Sequence, residues 1–205
     1  MPMFEAAYHE TQMCMSKSIT FKDRVVIVTG AGNGLGRSFA LGFAMRGAAV
    51  VVNDLGTASD GRGASRSVAD IVAAEIAAAG GLAASSYESV AAPDGGAKIV
   101  QTALDAFGRV DVLVSNAGFP RNAPFDEMRD EDIDSVLDTH LRGAFRVGQA
   151  AFRVMKRQGH GRCVFSSSGA SAGLITGFPL DAVRHAEIRR RLELRDSETA
   201  AKTIR

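Results

Sequence analysis

RVVIVTGAGNGLGRSFALGFAMRG, residues 24–47, places an apolar β-branched run, a glycine-rich turn and an alanine-rich amphipathic segment in immediate succession. That order predicts a strand, a tight turn and a helix. Glycines stand at positions 30, 32, 34 and 36. Backbone that must approach a phosphate closely enough for its N–H groups to touch it needs residues without a Cβ, and the helix behind such a turn directs its positive end to the same place. A glycine-rich turn also occurs as a plain turn, so its meaning depends on its surroundings.

Outward from this stretch the chain repeats the same alternation. RVVIVTG, AAVVVND, GLAASSYES, VDVLVSN and GRCVFSSS are five strand candidates, each short, apolar and closed by a small or polar residue, as strands covered on both faces are. Between them lie helical segments: GLGRSFALGFAMRG, SRSVADIVAAEIAAAGG, DGGAKIVQTALDAFG and a long stretch from about Glu131 to Gln158. Gly80, Gly81 and Gly108 supply C-terminal stops. The pattern predicts an α/β fold, a Rossmann-like doubly wound parallel sheet. LGTASDGRGASR, after the second strand candidate, is long for such a connection and predicts a flexible loop near the strand ends, where ligands bind in open α/β sheets.

Bulk properties narrow the function classes. A chain of 205 residues with 46% hydrophobic content buries a full core, and a formal net charge of +1 gives no general electrostatic reason to expect nucleic acid or an anionic membrane as partner. Cys14 and Cys163 lack metal-ligand spacing and are too few for a disulfide framework, so two free thiols in a reducing compartment are expected. No apolar run approaches the roughly 18 to 20 residues of a membrane span, and residues 1–20 lack the features of a secretory signal. A cytoplasmic location follows as the expectation. Residues 1–20 are read as an extension, 21–179 as the nucleotide-binding domain and 180–205 as a charged tail of atypical composition with a weak apolar stripe.

Asp54 closes the second strand candidate, where such folds hold the adenosine ribose through its hydroxyls. A carboxylate there repels a 2′-phosphate, which favours NAD over NADP; the alternative is an ordinary turn residue at a strand end. SNAG closes the fourth strand candidate, where its backbone can line the adenine side of the same crevice.

Thr29-Gly30-x-x-x-Gly34-x-Gly36, followed by Asp54 and by Asn116-Ala117-Gly118, resembles the short-chain dehydrogenase/reductase family over roughly residues 21–172. Within it, VVVNDLG, the long loop, YESV, FGRVD and HLRGAF resemble the 3-hydroxyacyl-CoA dehydrogenase part of the multifunctional enzymes of fatty-acid β-oxidation. The resemblance implies an NAD site in which Thr29, Gly30, Gly34, Leu35 and Gly36 form the pyrophosphate turn and Asp54 holds the ribose. Glu88 or Val90 would meet the adenine, Asn116 and Ala117 would brace the adenosine side, and Gly118 would lie near the nicotinamide ribose. Ser168, with Ser167 as the register alternative, would be the catalytic serine that hydrogen-bonds the substrate oxygen. His140 would stand where the family places a proton-relay residue. Serines at a strand end also occur in plain loops, and a lone histidine is as often a hydrogen-bonded structural residue.

The same resemblance calls for a Tyr-x-x-x-Lys pair on the helix after the serine, with both side chains facing the crevice. This sequence offers Leu180 and Asp181 there, its tyrosines are Tyr8 and Tyr87, and the one lysine beyond Lys156 is Lys202. The pattern stops abruptly between about Gly173 and Phe178, which fits a reading-frame change or a wrongly predicted terminal exon and predicts a fold incomplete at its C-terminal side. Three functions follow: an impaired NAD-dependent oxidoreductase acting on a 3-hydroxyacyl-CoA or similar secondary alcohol, an NAD-binding module without turnover, or a truncated product that does not fold stably. A homo-oligomer is compatible with the resemblance, although the helix that would carry the tyrosine, one of two packed across the family's subunit interface, is replaced here.

Overall fold

In the computed structural model, residues 19–57, 61–121, 123 and 125–166 are described. Most of the expected extension, the whole of the expected tail, Cys14, Ser167 and Ser168 lie outside them.

The apolar runs form five parallel strands: β1 (Val25–Thr29), β2 (Ala49–Asn53), β3 (Leu82–Ser86), β4 (Val112–Ser115) and β5 (Arg162–Phe165). Their order in the sheet is β3-β2-β1-β4-β5. β1 pairs from Val25↔Ala49 to Thr29↔Asn53 on one side and from Val26↔Val112 to Val28↔Val114 on the other. The helices are α1 (Gly34–Ala44), α2 (Arg66–Ala78), α3 (Gly95–Phe107), α4 (Asp130–Leu137) and α5 (Gly143–Gln158).

Strand side chains alternate between two cores because successive residues point to opposite faces. Val25, Ile27, Val51 and Leu113 pack with Ile99, Ala103, Val147 and Val154 of α3 and α5. Val26, Val28, Val50, Val52 and Val114 pack with Ala40, Ala69, Val72 and Ile76 of α1 and α2. Burying each such valine or isoleucine contributes about 1.5–3 kcal/mol, and coverage on both faces explains why β1 reads as an uninterrupted apolar run.

The expected helix stops hold. Gly80 has φ +81° with Gly81 N–H bonded to Ile76 O, and Gly108 ends α3 at φ +75°. Two boundaries differ from expectation. The third strand ends at Ser86, whose carbonyl still accepts from Asp54 N–H; beyond it the Asn53 side-chain amide, reaching across from β2, donates to Glu88 O. The stretch from Glu131 to Gln158 is broken by a π turn at Asp138–Arg142, in which Gly143 N–H reaches back to Asp138 O. Gly143 packs there against Val90, and an added Cβ would come within 2.9 Å of Val90 Cγ2.

The opposite end of the sheet is tied by one buried carboxylate. Asp111 accepts from Val25 N–H at 2.9 Å, from Arg24 at 3.0 Å and from Arg109 twice at 2.7 Å. Its backbone bonds Val25 O and Arg162 N–H, so β1, β4 and β5 begin at one residue. Burial pushes the Asp111 carboxyl up, while the hydrogen bonds from Arg109, Val25 N–H and Arg24 push it down and prevail. A carboxyl depressed in the folded state stabilises above its unfolded value of about 3.9, and that contribution is lost as pH falls through the folded value. Asp111→Asn is therefore expected to lower stability at pH 7 by about 1–3 kcal/mol, since it leaves buried donors poorly paired, and to flatten the loss of stability on acidification below about pH 4. Chemical denaturation of both proteins at pH 7 and pH 3.5 checks this, and an equal acid loss in both would refute it.

Candidate functional site

At the C-terminal end of the sheet the chain turns from β1 into α1 through Gly30–Asn33. Two contacts shape that turn. A Cβ on Gly36 would fall 1.9 Å from Gly30 O and 2.7 Å from Asn116 Nδ2, and a Cβ on Gly30 would meet the Ala117 backbone at 2.8 Å. The turn thus lies pressed between the first turn of α1 and the chain leaving β4. Among the described residues its outer side is open: Gly34 has φ +52° and nothing within 4 Å of an added Cβ, and Leu35 is 69% exposed. At the N-terminus of α1 the Asn33 side chain makes no cap bond, and the first turn holds no acidic residue. N–H donors at a positive helix end, beside backbone that no described side chain covers, fit the phosphates of a dinucleotide.

Asp54 follows β2 directly. Its Oδ2 accepts from Gly32 N–H at 2.8 Å and its Oδ1 from Gly56 N–H at 2.7 Å. One carboxylate thereby fixes both the glycine turn and the start of the long loop. Each oxygen keeps a further lone pair for a hydroxyl donor. Arg37, the basic residue of the glycine-rich stretch, is engaged elsewhere, with Nη2 at 2.7 and 2.6 Å from the two oxygens of Glu75.

Thr29 turns its buried hydroxyl toward β4, where it accepts from Asn116 N–H at 3.0 Å and Ala117 N–H at 3.1 Å. Asn116 in turn donates to Gly30 O at 3.4 Å and accepts the Ser166 hydroxyl at 3.0 Å. These bonds join the ends of β1, β4 and β5. Gly118 lies against the His140 ring, which would be 2.4 Å from an added Cβ. The π turn brings that ring there: His140 is 7% exposed, and its Nε2 lies 2.9 Å from both Phe119 N and Phe119 O. It can accept from the N–H when unprotonated at Nε2, or donate to the carbonyl when protonated there.

The structure therefore gathers Thr29, Gly30, Gly34, Leu35, Gly36, Asp54, Asn116, Ala117, Gly118 and His140 around one crevice. Glu88 is half-exposed after β3, and Val90 is buried with Ile99 in the core. Ser168 and its alternative Ser167 fall outside the described residues. Sequence reasoning missed Asn53, Phe119 and Ser166, which act here through hydrogen bonds and packing; only the polar residue interrupting the apolar run VVVND signalled the first.

Tyr87 sits at the far side. Its hydroxyl donates to Asp70 Oδ1 at 2.6 Å, a bond that raises its pKa above the ordinary phenol value and lowers that of Asp70. β3 and β5 are separated by four strand spacings, roughly 19 Å. Tyr87 is thus remote from the Ser166 end of the crevice.

Comparison with known proteins agrees with this architecture. The sequence profile of short chain dehydrogenases matches residues 24–180. Peroxisomal multifunctional enzyme A of Dictyostelium discoideum is 50% identical over 161 residues, 78% of this chain and 35% of its own length. Peroxisomal multifunctional enzyme type 2 of Mus musculus is 51% identical over 156 residues, 76% of this chain and 21% of its own. The chain thus spans about a third and a fifth of those two relatives. A crystal structure of a short chain dehydrogenase from Mycobacterium avium superimposes with a TM-score of 0.72 at 41% identity, covering 83% of this chain and 63% of that one. With a profile match over most of its length, a parallel sheet of the same build and the glycine turn at the end of β1, the chain belongs to the short-chain dehydrogenase family.

Proposed function

We propose that this chain binds NAD in preference to NADP, and that it is an oxidoreductase of the 3-hydroxyacyl-CoA dehydrogenase type whose turnover is strongly impaired. The observation carrying the cofactor choice is Asp54. Its two oxygens are oriented by Gly32 N–H and Gly56 N–H, so the carboxylate presents fixed acceptors to a ribose diol and fixed negative charge to a 2′-phosphate. The pairing of Arg37 with Glu75 supports the same choice, because the nearest guanidinium of the glycine stretch is already neutralised.

Bound NAD supplies a hydride acceptor at its nicotinamide ring. The residues of the chain bind and orient it. The N–H groups at the start of α1 receive the phosphates, Asp54 accepts from the ribose, and Thr29 and Asn116 hold the β4 backbone against the glycine turn. His140 fixes Gly118 and Phe119 beside the place assigned to the nicotinamide ribose. The substrate class rests on the likeness to peroxisomal multifunctional enzymes.

Impairment rests on the sequence, which contains no Tyr-x-x-x-Lys pair. Tyr87 does not replace it, since its phenol is held by Asp70 and lies at the β3 side. Loss of a positioned acid-base group costs about 10² to 10⁴ in rate. A second reading, an NAD-binding module without turnover, is favoured by the same observation. The two differ only in whether slow product formation is measurable.

Titration of the purified chain with NADH and NADPH, followed by fluorescence and melting temperature, is expected to show saturable NADH binding with a raised Tm and weaker NADPH binding. Equal affinity for both would refute the role of Asp54. On the same sample, turnover of a 3-hydroxyacyl-CoA with NAD is expected to be at least about a hundredfold below that of a relative with the tyrosine and lysine; full turnover would refute impairment.

Asp54→Ala is expected to weaken NADH roughly tenfold or more, by removing charge-assisted hydrogen bonds of about 1.5–3 kcal/mol, and to narrow the preference over NADPH. Calorimetric titration checks both effects, and unchanged affinity would displace the ribose from this residue.

A further inference from the structure

Asn53 closes the valine run of β2 and is 2% exposed. A buried amide destabilises a fold unless its donors are met, so the partners it takes indicate its use. Its backbone carbonyl accepts from Ala31 N–H at 3.0 Å, within the glycine turn. Its side-chain Nδ2 donates to Glu88 O at 3.0 Å and lies 3.3 Å from both Ser86 O and Ser86 Oγ. Ser86 O already accepts from Asp54 N–H at 3.0 Å, so the edge of the sheet is tied without this amide. Glu88 O lies two residues past the end of β3, and among the described residues its donor is Asn53.

The segment that Asn53 reaches, Glu88–Val90, is held firmly at its far end. Val90 is buried with Ile99, and an added Cβ on Gly143 would lie 2.9 Å from Val90 Cγ2. Ser89 O accepts from Ala92 N–H at 3.2 Å and presses on Gly95, where an added Cβ would fall 1.8 Å from it. The Arg146 guanidinium donates to Ala91 O. The near end rests on Asn53. The Glu88 carboxylate has Lys98 Nζ at 3.9 Å, whereas the backbone N–H groups of Glu88, Ser89 and Val90 have no partner among the described residues. Main-chain donors thus stand at a set distance from the glycine turn, in the segment to which the adenine is assigned.

We propose that Asn53 is a positioning residue for the adenine ring. It holds Glu88 O with its side chain and Ala31 N–H with its carbonyl, so one residue fixes the spacing between the glycine turn and the backbone that reads the base. This rests on the dinucleotide reading of the crevice. Adenine offers a ring-nitrogen acceptor beside an amino donor, and hypoxanthine offers the reverse, an N–H donor beside a carbonyl oxygen. Backbone groups held in place discriminate between the two patterns, and the same groups on a loose segment shift to suit either.

The test compares NADH with its hypoxanthine analogue, which differs in the base alone, by calorimetric titration of the whole chain. Wild type is expected to bind NADH at least about tenfold tighter, because the reversed pattern leaves groups unpaired. Asn53→Leu, close in shape and without the donor, is expected to lose most of that preference through weaker NADH binding. Asn53→Ser keeps a polar group beside the Ser86 hydroxyl but is too short to reach Glu88 O, and is expected to act in the same direction. Asp54→Ala removes a contact to the ribose, which both ligands share, and is expected to weaken them equally. If Asn53 only braces the sheet, its loss lowers both affinities together or neither. An unchanged ratio in the Asn53 variants, an equal collapse of the ratio in Asp54→Ala, or a wild type that binds both dinucleotides alike would overturn the role of Asn53 while leaving the dinucleotide site standing. Absence of saturable NADH binding by the wild type would overturn both.

Discussion

The close approach of Gly36 to the Gly30 carbonyl is the constraint on which the rest of the crevice depends. No side chain fits between them, so α1 can begin only where its first turn presses back on the end of β1. The same compression places Asn116 against Gly30 and lets the Thr29 hydroxyl collect the two N–H groups that follow β4. A single steric requirement at the first glycine turn thereby sets the distance between two strand ends. The open N–H groups of α1 then face outward, and Asp54 completes the frame from β2 by holding Gly32. The geometry that would receive phosphates is a by-product of how tightly helix and strand are packed.

Legibility from the sequence followed the range of the interaction. The central strands were readable because burial on both faces demands unbroken runs such as VVIV and AVVV, which few other local structures tolerate, whereas the edge strands β3 and β5 are only partly buried. Gly80 and Gly108 were readable as stops because positive φ is a local property of the residue. The π turn was not. Its cause is the packing of Gly143 on Val90 and of His140 on Gly118, contacts between segments distant in sequence that leave no mark on the periodicity of residues 131–158. The same limit explains why Phe119 and Ser166 went unnoticed, since neither residue type signals its partner. Asp54 was legible as an acidic residue at a strand end, but its hold on two backbone N–H groups emerged only from the turn it faces.

The two ends of the sheet are built differently. At the strand starts, Asp111 gathers β1, β4 and β5 through side-chain and backbone bonds and is itself fully buried. At the strand ends, the contacts are glycine against backbone, Thr29 and Asn116, with the half-buried carboxylate of Asp54 holding Gly32 and Gly56 N–H. Charge-assisted bonds to a buried carboxylate resist separation more than neutral contacts near water do. The strand starts are thus tied through one fully buried carboxylate shared by three strands, whereas the strand ends are tied through several separate contacts.

The π turn at Asp138–Arg142 has a consequence for how this helix tolerates change in length. A π turn holds one residue more than the α-helical turn it replaces. Deleting one residue from it would restore a regular helix, and with about 100° of rotation per residue everything on the N-terminal side would swing around the axis relative to α5. His140 would then face away from Gly118, leaving the backbone of Phe119 without its imidazole partner. The extra residue works as a phase setting: it lets α5 keep its apolar face on the sheet while the preceding turn points a polar ring into the crevice.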